Sequence, residues 1–327
     1  MNGQSQLVGS RCHIAYLHLM NRPGIRGGSV AKQWQAANIT KRASTIERDE
    51  VIVRLHIVPA IGSRSIGSIT KADVQRLVDQ WAGTMAANTV GRQYTCLGAI
   101  FSYAVSDEII ARTPCRDIRL PKTRLKERPV LTAKQVAALA DALGPDQACF
   151  MWLGIEGLRW SEAAGMTTDR VDVAMRTITV DRQIDRHGDL VPPKSEMGKR
   201  TFAINRALVD DLSAHIARQD TPGLLFTDSQ GGFLRYTNWR RRTWQPACQV
   251  AGLPDLTFHD LRALAGTTLI AAGADIKTAQ TRLGHANPQT TLRLYARAQP
   301  EADRLAADAA GAMLRPAAPK RRPRRKS

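Results

Sequence analysis

Apolar residues between positions 28 and 112 recur with the 3.6-residue period of α-helices. In the clearest case, Thr70 and Asp73 have the spacing of a capping box at a helix start. The apolar positions that follow fall at i, i+3, i+4 and i+7, namely Val74, Leu77, Val78 and Trp81. Helices of this kind bury their apolar faces against one another, so we expect a compact helical bundle over residues 28–112.

Two more helices are predicted in the same region. Ser44 and Glu47 repeat the capping-box spacing ahead of an apolar run that begins at Val51. Asn88 is predicted to open a further helix. One face of that helix would carry Val90, Tyr94, Leu97, Phe101 and Val105.

The pattern changes at residues 113–130, where TPCRDIRLPKTRLKERPV holds three prolines and six basic residues. We interpret this stretch as an extended basic linker, either solvated or crossing a polyanionic backbone. Residues 1–27 show no periodicity and are expected to form a loosely ordered leader. The tail at 315–327 is basic and predicted to be disordered.

Residues 131–314 are predicted to form a second domain that mixes helices with a few strands. Thr132 and Gln135 cap its first helix. Thr177–Val180 alternates as a strand does, Thr201–Ile204 supplies another, and His187-Gly188 predicts a turn. The expected fold is therefore mainly α, with a small antiparallel β-sheet in the C-terminal domain.

Charge narrows the class of partner. The 327 residues include 47 Lys and Arg against 29 Asp and Glu, a formal net charge of +18, which favours a polyanion such as nucleic acid. Aromatic residues make up only 5%, so stacking on single-stranded bases is not favoured. The five cysteines are scattered without metal-ligand spacing, and the chain shows neither a signal-peptide pattern nor a membrane-spanning run. We expect no metal, no membrane partner and a cytoplasmic location.

Six residues in the second domain carry the chemistry of phosphodiester cleavage without a metal. They are Arg159 in GIEGLRWSEAAG, Lys194 in VPPKSEMGKRTFAI, His259 and Arg262 in TFHDLR, and His285 and Tyr295 in RLGHANPQTTLRLYA. A tyrosine can act as nucleophile, two guanidiniums can stabilise the charge of the transition state, and histidine and lysine can move protons. Singly, each has an ordinary structural interpretation, such as a surface ion pair for Arg159 or core packing for Tyr295. The ordered set carries the functional interpretation.

This ordered set resembles the tyrosine recombinases, which include the phage integrases. The shared motifs are GLR-x-SE, a lysine near a predicted hairpin, H-x-L-R, LGH and a tyrosine ten residues later. The similarity covers about residues 30–300, and STIERDEVIVRLHIVPAIGSRSIGSIT is typical of the family's N-terminal part. The resemblance implies a helical core-binding domain plus a mixed α/β tyrosine-recombinase catalytic domain.

The resemblance also implies a role for each residue. Arg159 and Arg262 would grip the scissile phosphate, and His285 would donate a hydrogen bond to it. Tyr295 would attack, with His259 as general base and Lys194 as general acid. Glu162 matches an acidic position that orients the site. The product would be a 3′-phosphotyrosyl link, formed without ATP, metal or cofactor.

The chain departs from many relatives at two points. Ala263 stands where many have a second histidine, a position outside the catalytic set. Residues 1–27 are too short for the arm-binding domain of many phage integrases. Either the enzyme works without arm sites, or the recorded start lies downstream of the true one.

The implied partners are double-stranded DNA with attachment-type sites and a homotetramer on that DNA, with a host DNA-bending protein or an excision factor as further possibilities. PEADRLAADAAGAML, with Leu305, Ala309 and Met313 at helical spacing, resembles the terminal helix that relatives pass to a neighbouring protomer. The basic run Arg240–Arg242 is either a DNA-facing helix or a solvated helix surface. Integration of phage or mobile-element DNA is the favoured function. The alternatives are a chromosome-dimer resolvase, a transposon recombinase, a type IB topoisomerase and a catalytically inactive DNA-binding relative.

Overall fold

A computed structural model describes residues 24–123, 130–219 and 222–295, together with 307, 308, 310, 311 and 313; at 290 and 293–295 it describes the backbone alone. The chain divides into two compact units, which we call the N-terminal unit (1–126) and the C-terminal unit (127–327). Most of the predicted leader, part of the linker and the whole basic tail lie outside the described residues.

Helices form the regular secondary structure of the N-terminal unit in its described part, and turns and irregular chain follow at residues 107–123. Its helices are α1 (Gly27–Ala37), α2 (Ala43–Ile52), a π-helical turn (Val53–Ile57) that continues into α3 (Val58–Ile61), α4 (Lys71–Thr84) and α5 (Ala87–Ser106). Thr70 caps α4 in a complete capping box with Asp73, as predicted. The four apolar residues predicted for this helix are buried, because they form the face that packs against α5.

Two predicted helix starts in this unit are wrong. Helix α2 begins at Ala43 with Arg42 as its N-cap residue, so Ser44 already lies within the first turn and its hydroxyl does not cap the helix. Helix α5 begins at Ala87 rather than at Asn88. The Asn88 side chain instead accepts a hydrogen bond from Thr123 at 3.1 Å.

The C-terminal unit surrounds a small β-structure with helices. Its helices are α6 (Ala133–Leu143), α7 (Pro145–Ile155), α8 (Trp160–Ala164), α9 (Arg206–Ala217), α10 (Tyr236–Trp239), α11 (Gln245–Val250), α12 (Phe258–Ala271), α13 (Ile276–Leu283) and α14 (Pro288–Tyr295). Its strands are β1 (Val171–Asp172), β2 (Thr177–Val180), β3 (Gln183–Ile184), β4 (Leu190–Val191) and β5 (Arg200–Ala203). The capping box of Thr132 and Gln135 at α6 is present as predicted.

The strands form two antiparallel sheets rather than one hairpin. One sheet has the order β1-β2-β5, with Ile178 opposite Phe202, and the other pairs β3 with β4. The predicted turn at His187-Gly188 joins β3 to β4 and therefore belongs to the second sheet. The predicted fold, mainly α with small antiparallel sheets in the C-terminal domain, is confirmed.

An aromatic cluster forms much of the core of the C-terminal unit. Phe150 lies at its centre, with ring centroids 5.1 Å from Phe258 and 5.2 Å from Trp239. Trp239 stacks on Trp244 at 5.3 Å, and both are buried. Trp239 precedes the π-helical turn Arg240–Trp244 and Trp244 ends it, so the two tryptophans anchor a segment whose three arginines are exposed.

The part of the chain that the structure describes contains no helix long and apolar enough to cross a bilayer.

Candidate active site

Arg159 lies at the N-cap position of α8, immediately after a tight bend. The bend includes Gly157 with φ +102°, a backbone conformation that side chains rarely adopt. A Cβ at this glycine would lie 2.7 Å from the Leu283 side chain, so the bend also lets α13 approach closely. The GLR motif therefore needs its glycine to place Arg159 at the site.

Glu162 lies one helical turn after Arg159 and binds it twice. Its carboxylate accepts hydrogen bonds from the Arg159 backbone N–H at 2.9 Å and from Arg159 Nη1 at 2.6 Å. A third Arg159 nitrogen, Nη2, donates to the Gly284 carbonyl at 3.2 Å. The Arg159 side chain keeps 36% of its surface exposed, so part of the guanidinium remains accessible to a ligand.

Arg200, at the start of β5, binds Glu162 from the other side. Arg200 Nη2 donates to Oε2 at 2.9 Å and Nη1 to Oε1 at 3.3 Å, while both side chains are almost fully buried. Burial by itself would raise the pKa of Glu162, but the hydrogen bonds and charge of Arg200 outweigh it and keep that pKa below its ordinary value. Glu162 is therefore an anion shared by two guanidiniums.

Arg262 comes to the same place from α12. Its guanidinium donates to the carbonyls of Gly157 and Leu283, so it joins the GLR bend to the end of α13. Burial and the positive charge of Arg159 lower the pKa of Arg262 to about 9, which still leaves it charged at neutral pH. The two predicted phosphate-binding arginines are thus held in one site.

The LGH motif forms the turn that ends α13. Gly284 has φ +60°, and a Cβ there would lie 2.8 Å from the Met197 carbonyl oxygen, so glycine is required for both reasons. The next residue, His285, is 9% exposed, and its Nδ1 lies 2.9 Å from the Thr291 hydroxyl. Burial, followed by the charge of Arg262, lowers the pKa of His285 to about 4, so its imidazole is neutral at physiological pH.

The structure describes the other three predicted residues in different detail: His259 and Lys194 with their side chains, and Tyr295 by its backbone alone. His259 is exposed in the first turn of α12, three residues before the buried Arg262, and lies close enough to His285 to affect its pKa. Lys194 is exposed in the loop between β4 and β5. Tyr295 is the last residue of α14, which packs against α12 and α13; its side chain lies outside the described residues.

Three contributors to the site were missed by the sequence reasoning. Arg200 holds Glu162, Thr291 contacts His285, and Arg282 forms a neighbouring ion pair with Glu156. Arg200 could have been found, because it is a cation at the inward-facing position of a strand whose next residue, Thr201, points outward. Nothing in the local sequence distinguishes Thr291 from Thr290.

The arrangement concentrates positive charge where an anion can enter. Arg159, Arg200 and Arg262 surround a single carboxylate, Glu162, which leaves an excess of two positive charges. A partly exposed guanidinium beside such an excess is suited to binding a phosphate and to stabilising additional charge on its oxygens.

Comparisons with known proteins identify the family of the chain. The profile described as "Phage integrase family" matches residues 129–302, and that of the "Phage integrase central domain" matches residues 28–120. The prophage phiRv2 integrase of Mycobacterium tuberculosis is 27% identical over 286 residues, covering 84% of this chain and 75% of that protein. The tyrosine recombinase XerC of a Mycobacterium species is 28% identical over 242 residues, covering 70% and 79%.

A solved structure supports the fold. The Tn1549 transposon integrase, in complex with a circular intermediate DNA, superposes with a TM-score of 0.76 at 20% identity, covering 88% of this chain and all of that one. Because the family profile matches more than half of the chain, and does so over the segment that carries the arginine and histidine site, the chain belongs to the phage integrase family of tyrosine recombinases, the enzymes that cleave and rejoin DNA.

Proposed function

We propose that this enzyme recombines double-stranded DNA at attachment-type sites, with Arg159, Lys194, His259, Arg262, His285 and Tyr295 as its catalytic residues. The single observation that carries the proposal is the excess of positive charge around Glu162. In this assignment residues 28–112 bind the DNA as the core-binding domain, and residues 131–314 form the catalytic domain.

The proposed reaction replaces one phosphodiester by another. The Tyr295 phenol oxygen attacks the scissile phosphorus and loses its proton to His259. The bond from phosphorus to the 5′ oxygen breaks, and Lys194 donates a proton to that oxygen. The products are a 3′-phosphotyrosyl link and a free 5′ hydroxyl. Attack by the 5′ hydroxyl of a partner strand reverses these steps and reseals the DNA in a new combination, so no external energy source is needed.

Arg159 and Arg262 would bind the non-bridging oxygens of the scissile phosphate, where negative charge grows in the transition state. A neutral His285 would act as a hydrogen-bond donor and not as an additional cation. Since a neutral imidazole carries one N–H, donation from the Thr291 hydroxyl to Nδ1 would leave the proton on Nε2, which is then the nitrogen available to phosphate.

We further propose that the reaction integrates and excises phage or other mobile-element DNA. The names of the relatives support this, because the similar proteins include a prophage integrase and a transposon integrase. A reaction on DNA of this kind would take place in the bacterial cytoplasm, at the nucleoid. Chromosome resolution is a second candidate, since a XerC recombinase is similar over most of the chain.

Recombination of two duplexes requires four cleavages, so we propose a homotetramer on DNA, with a host DNA-bending protein or an excision factor setting direction. The segment from Pro300 onward, most of which lies outside the described residues, is proposed to bind a neighbouring protomer. Deletion of residues 300–327 should then abolish tetrameric complexes on native gels and spare binding to one half-site. Persistence of the tetramer would contradict this assignment.

Covalent trapping tests the chemistry. Duplexes that bind the enzyme are selected from a random library, nicked near the cleavage position so that religation fails, and incubated with wild-type enzyme or Tyr295→Phe. We expect the wild type to form a 3′ adduct and the variant to form none, with DNA affinity changed less than about threefold because only one phenolic oxygen is lost. An adduct formed by the variant would show that another residue is the nucleophile.

Substrate pairing separates the two biological roles. An integrase should join two sites of different sequence, whereas a resolvase should recombine two copies of one site. Efficient recombination of identical sites together with failure on unlike pairs would favour the resolvase.

A further inference from the structure

Arg200 is a buried cation at the site, and the proposed reaction gives it no task. Its side chain is 3% exposed, and all three of its guanidinium nitrogens already donate hydrogen bonds to protein acceptors. Five donors on one guanidinium must find partners when buried. Three segments supply partners for four of these donors: Arg200 Nε donates to the Arg282 carbonyl at 2.7 Å, Nη1 to the Gly198 carbonyl at 2.9 Å and to Glu162 at 3.3 Å, and Nη2 to Glu162 at 2.9 Å.

Each of those segments carries a motif of the site. Glu162 belongs to the GLR-x-SE motif, and Arg282 lies three residues before His285. Gly198 closes the short turn after Lys194, where a Cβ would lie 2.6 Å from Pro193 on the other side of that lysine. One buried side chain therefore ties together the loops that present Arg159, Lys194 and His285.

The contact with Glu162 has an electrostatic consequence for Arg159. Because Arg200 binds both carboxylate oxygens, the negative charge of Glu162 is divided between two guanidiniums. Without Arg200, Arg159 would be the remaining guanidinium that binds Glu162. A guanidinium held in a full ion pair in a poorly solvated site has less positive potential to offer a phosphate.

We infer that Arg200 is a positioning residue for strand cleavage, which keeps Arg159 available to the scissile phosphate by sharing the charge of Glu162. The inference rests on the role proposed above for Arg159. It predicts an unusual pattern: removal of Arg200 is harmful chiefly because Glu162 is charged, so neutralising Glu162 should relieve the defect.

The test measures single-turnover cleavage of the nicked duplex at saturating DNA, with affinity and thermal unfolding measured in parallel. Arg200→Met should slow cleavage on the order of 100-fold and leave half-site affinity within about threefold, because the Arg200 guanidinium binds protein acceptors. The double variant Glu162→Gln/Arg200→Met should cleave at least about tenfold faster than Arg200→Met. Arg200→Lys should lie between wild type and Arg200→Met, since an ammonium keeps the charge but cannot bind both carboxylate oxygens and two carbonyls.

A purely architectural role would give a different result. The loss would then be as large in the Glu162→Gln background as in the wild type, and the double variant would be no faster than Arg200→Met. Each of these two results would overturn the inference. So would a cleavage rate of Arg200→Met equal to that of the wild type. If Arg200→Met fails to fold, comparison of the double variant with Glu162→Gln still decides, because the inference requires these two to differ by less than about threefold.

Two controls complete the design. Arg170 pairs with Asp181 at 2.9 Å in the same unit and makes none of the site contacts described above, so Arg170→Met should cleave like the wild type. Slow cleavage by this variant would overturn the inference by showing that loss of any paired arginine in this unit damages the site. Arg159→Ala should abolish cleavage; if it does not, the proposed function of Arg159 fails, whereas normal cleavage by Arg200→Met alone refutes only the inference about Arg200.

Discussion

The core of the N-terminal unit is built from aliphatic and aromatic side chains such as Val78, Leu97 and Phe101, whereas the C-terminal unit buries charged residues as well. Buried there are Glu156, Glu162, Arg200 and Arg262; in the described part of the N-terminal unit only Asp49 is comparable, and it pairs with Lys41 at 2.9 Å. Apolar burial stabilises a fold without demanding particular partners, while each buried charge needs a specific one. The side chains at the site of the second unit are therefore fixed by specific partners, and not by apolar burial alone.

Removal of a buried charge at the site should give the largest difference between the two units. Arg262→Met should lower single-turnover cleavage roughly 1,000-fold, as expected for loss of one main transition-state donor. Its free energy of unfolding should fall by only about 1–3 kcal/mol, because two carbonyls lose their hydrogen-bond donor. Cleavage kinetics and urea unfolding check both values. Cleavage within tenfold of the wild type would contradict the assignment.

An apolar deletion in the N-terminal unit should do the opposite. Leu97 is fully buried in α5, so Leu97→Ala should lower the free energy of unfolding by about 2–5 kcal/mol. Well below the melting temperature, and with saturating DNA, the cleavage rate per folded molecule should remain within about threefold of the wild type. Urea unfolding followed by the trapping assay measures the two effects separately. A cleavage defect as large as that of Arg262→Met would erase the distinction between the units.

The pKa of His285 predicts a pH effect confined to the C-terminal unit. Because this pKa lies at about 4 in the folded protein, below its ordinary value of 6.5, the unfolded state binds more protons between these values. The stabilisation is therefore complete above pH 6.5 and is lost as the pH falls towards 4, by up to roughly 3 kcal/mol. His285→Asn should lose less stability than the wild type over this range. Identical pH profiles of unfolding for the two proteins would show that His285 keeps an ordinary pKa.

The smallest effect is expected at Thr291, which is buried and whose hydroxyl lies 2.9 Å from His285 Nδ1. Thr291→Val keeps the shape but removes the hydroxyl, so the imidazole loses the partner that orients it and selects its protonated nitrogen. Cleavage should slow about tenfold, with DNA affinity unchanged. Thr291→Ser should restore most of the rate, and failure of serine to do so would point to packing rather than hydrogen bonding.

The sequence and the structure both describe the arginines of the π-helical turn Arg240–Trp244. From the sequence, a DNA-facing helix and a solvated helix surface with its tryptophans in the core were equally favoured. In the structure the tryptophans are buried and the arginines exposed, which agrees with both interpretations. Exposed arginines are common to both interpretations, so both stay predictions.

Much of the fold was predictable because it follows from spacing within one or two helical turns. The capping boxes at Thr70 and Thr132 and the buried face of α4 are properties of neighbouring residues. The errors at Ser44 and Asn88 arose where the capping pattern was present in the sequence but the backbone entered the helix earlier. The pairing of β2 with β5 was not predictable, since the intervening residues could equally have formed one long hairpin.

By itself the sequence determined the family, and it predicted which residues do chemistry here, because their types, order and intervals resemble those of the phage integrases. Only the tertiary structure decided how they are held together. Arg159 meets the Gly284 carbonyl across 125 residues of chain, and Arg262 meets Gly157 across 105. The burial of Arg200, the sharing of Glu162 and the lowered pKa of His285 all follow from such long-range contacts. Desolvation and charge proximity depend on what surrounds a group in space, and no local pattern of residues encodes those surroundings.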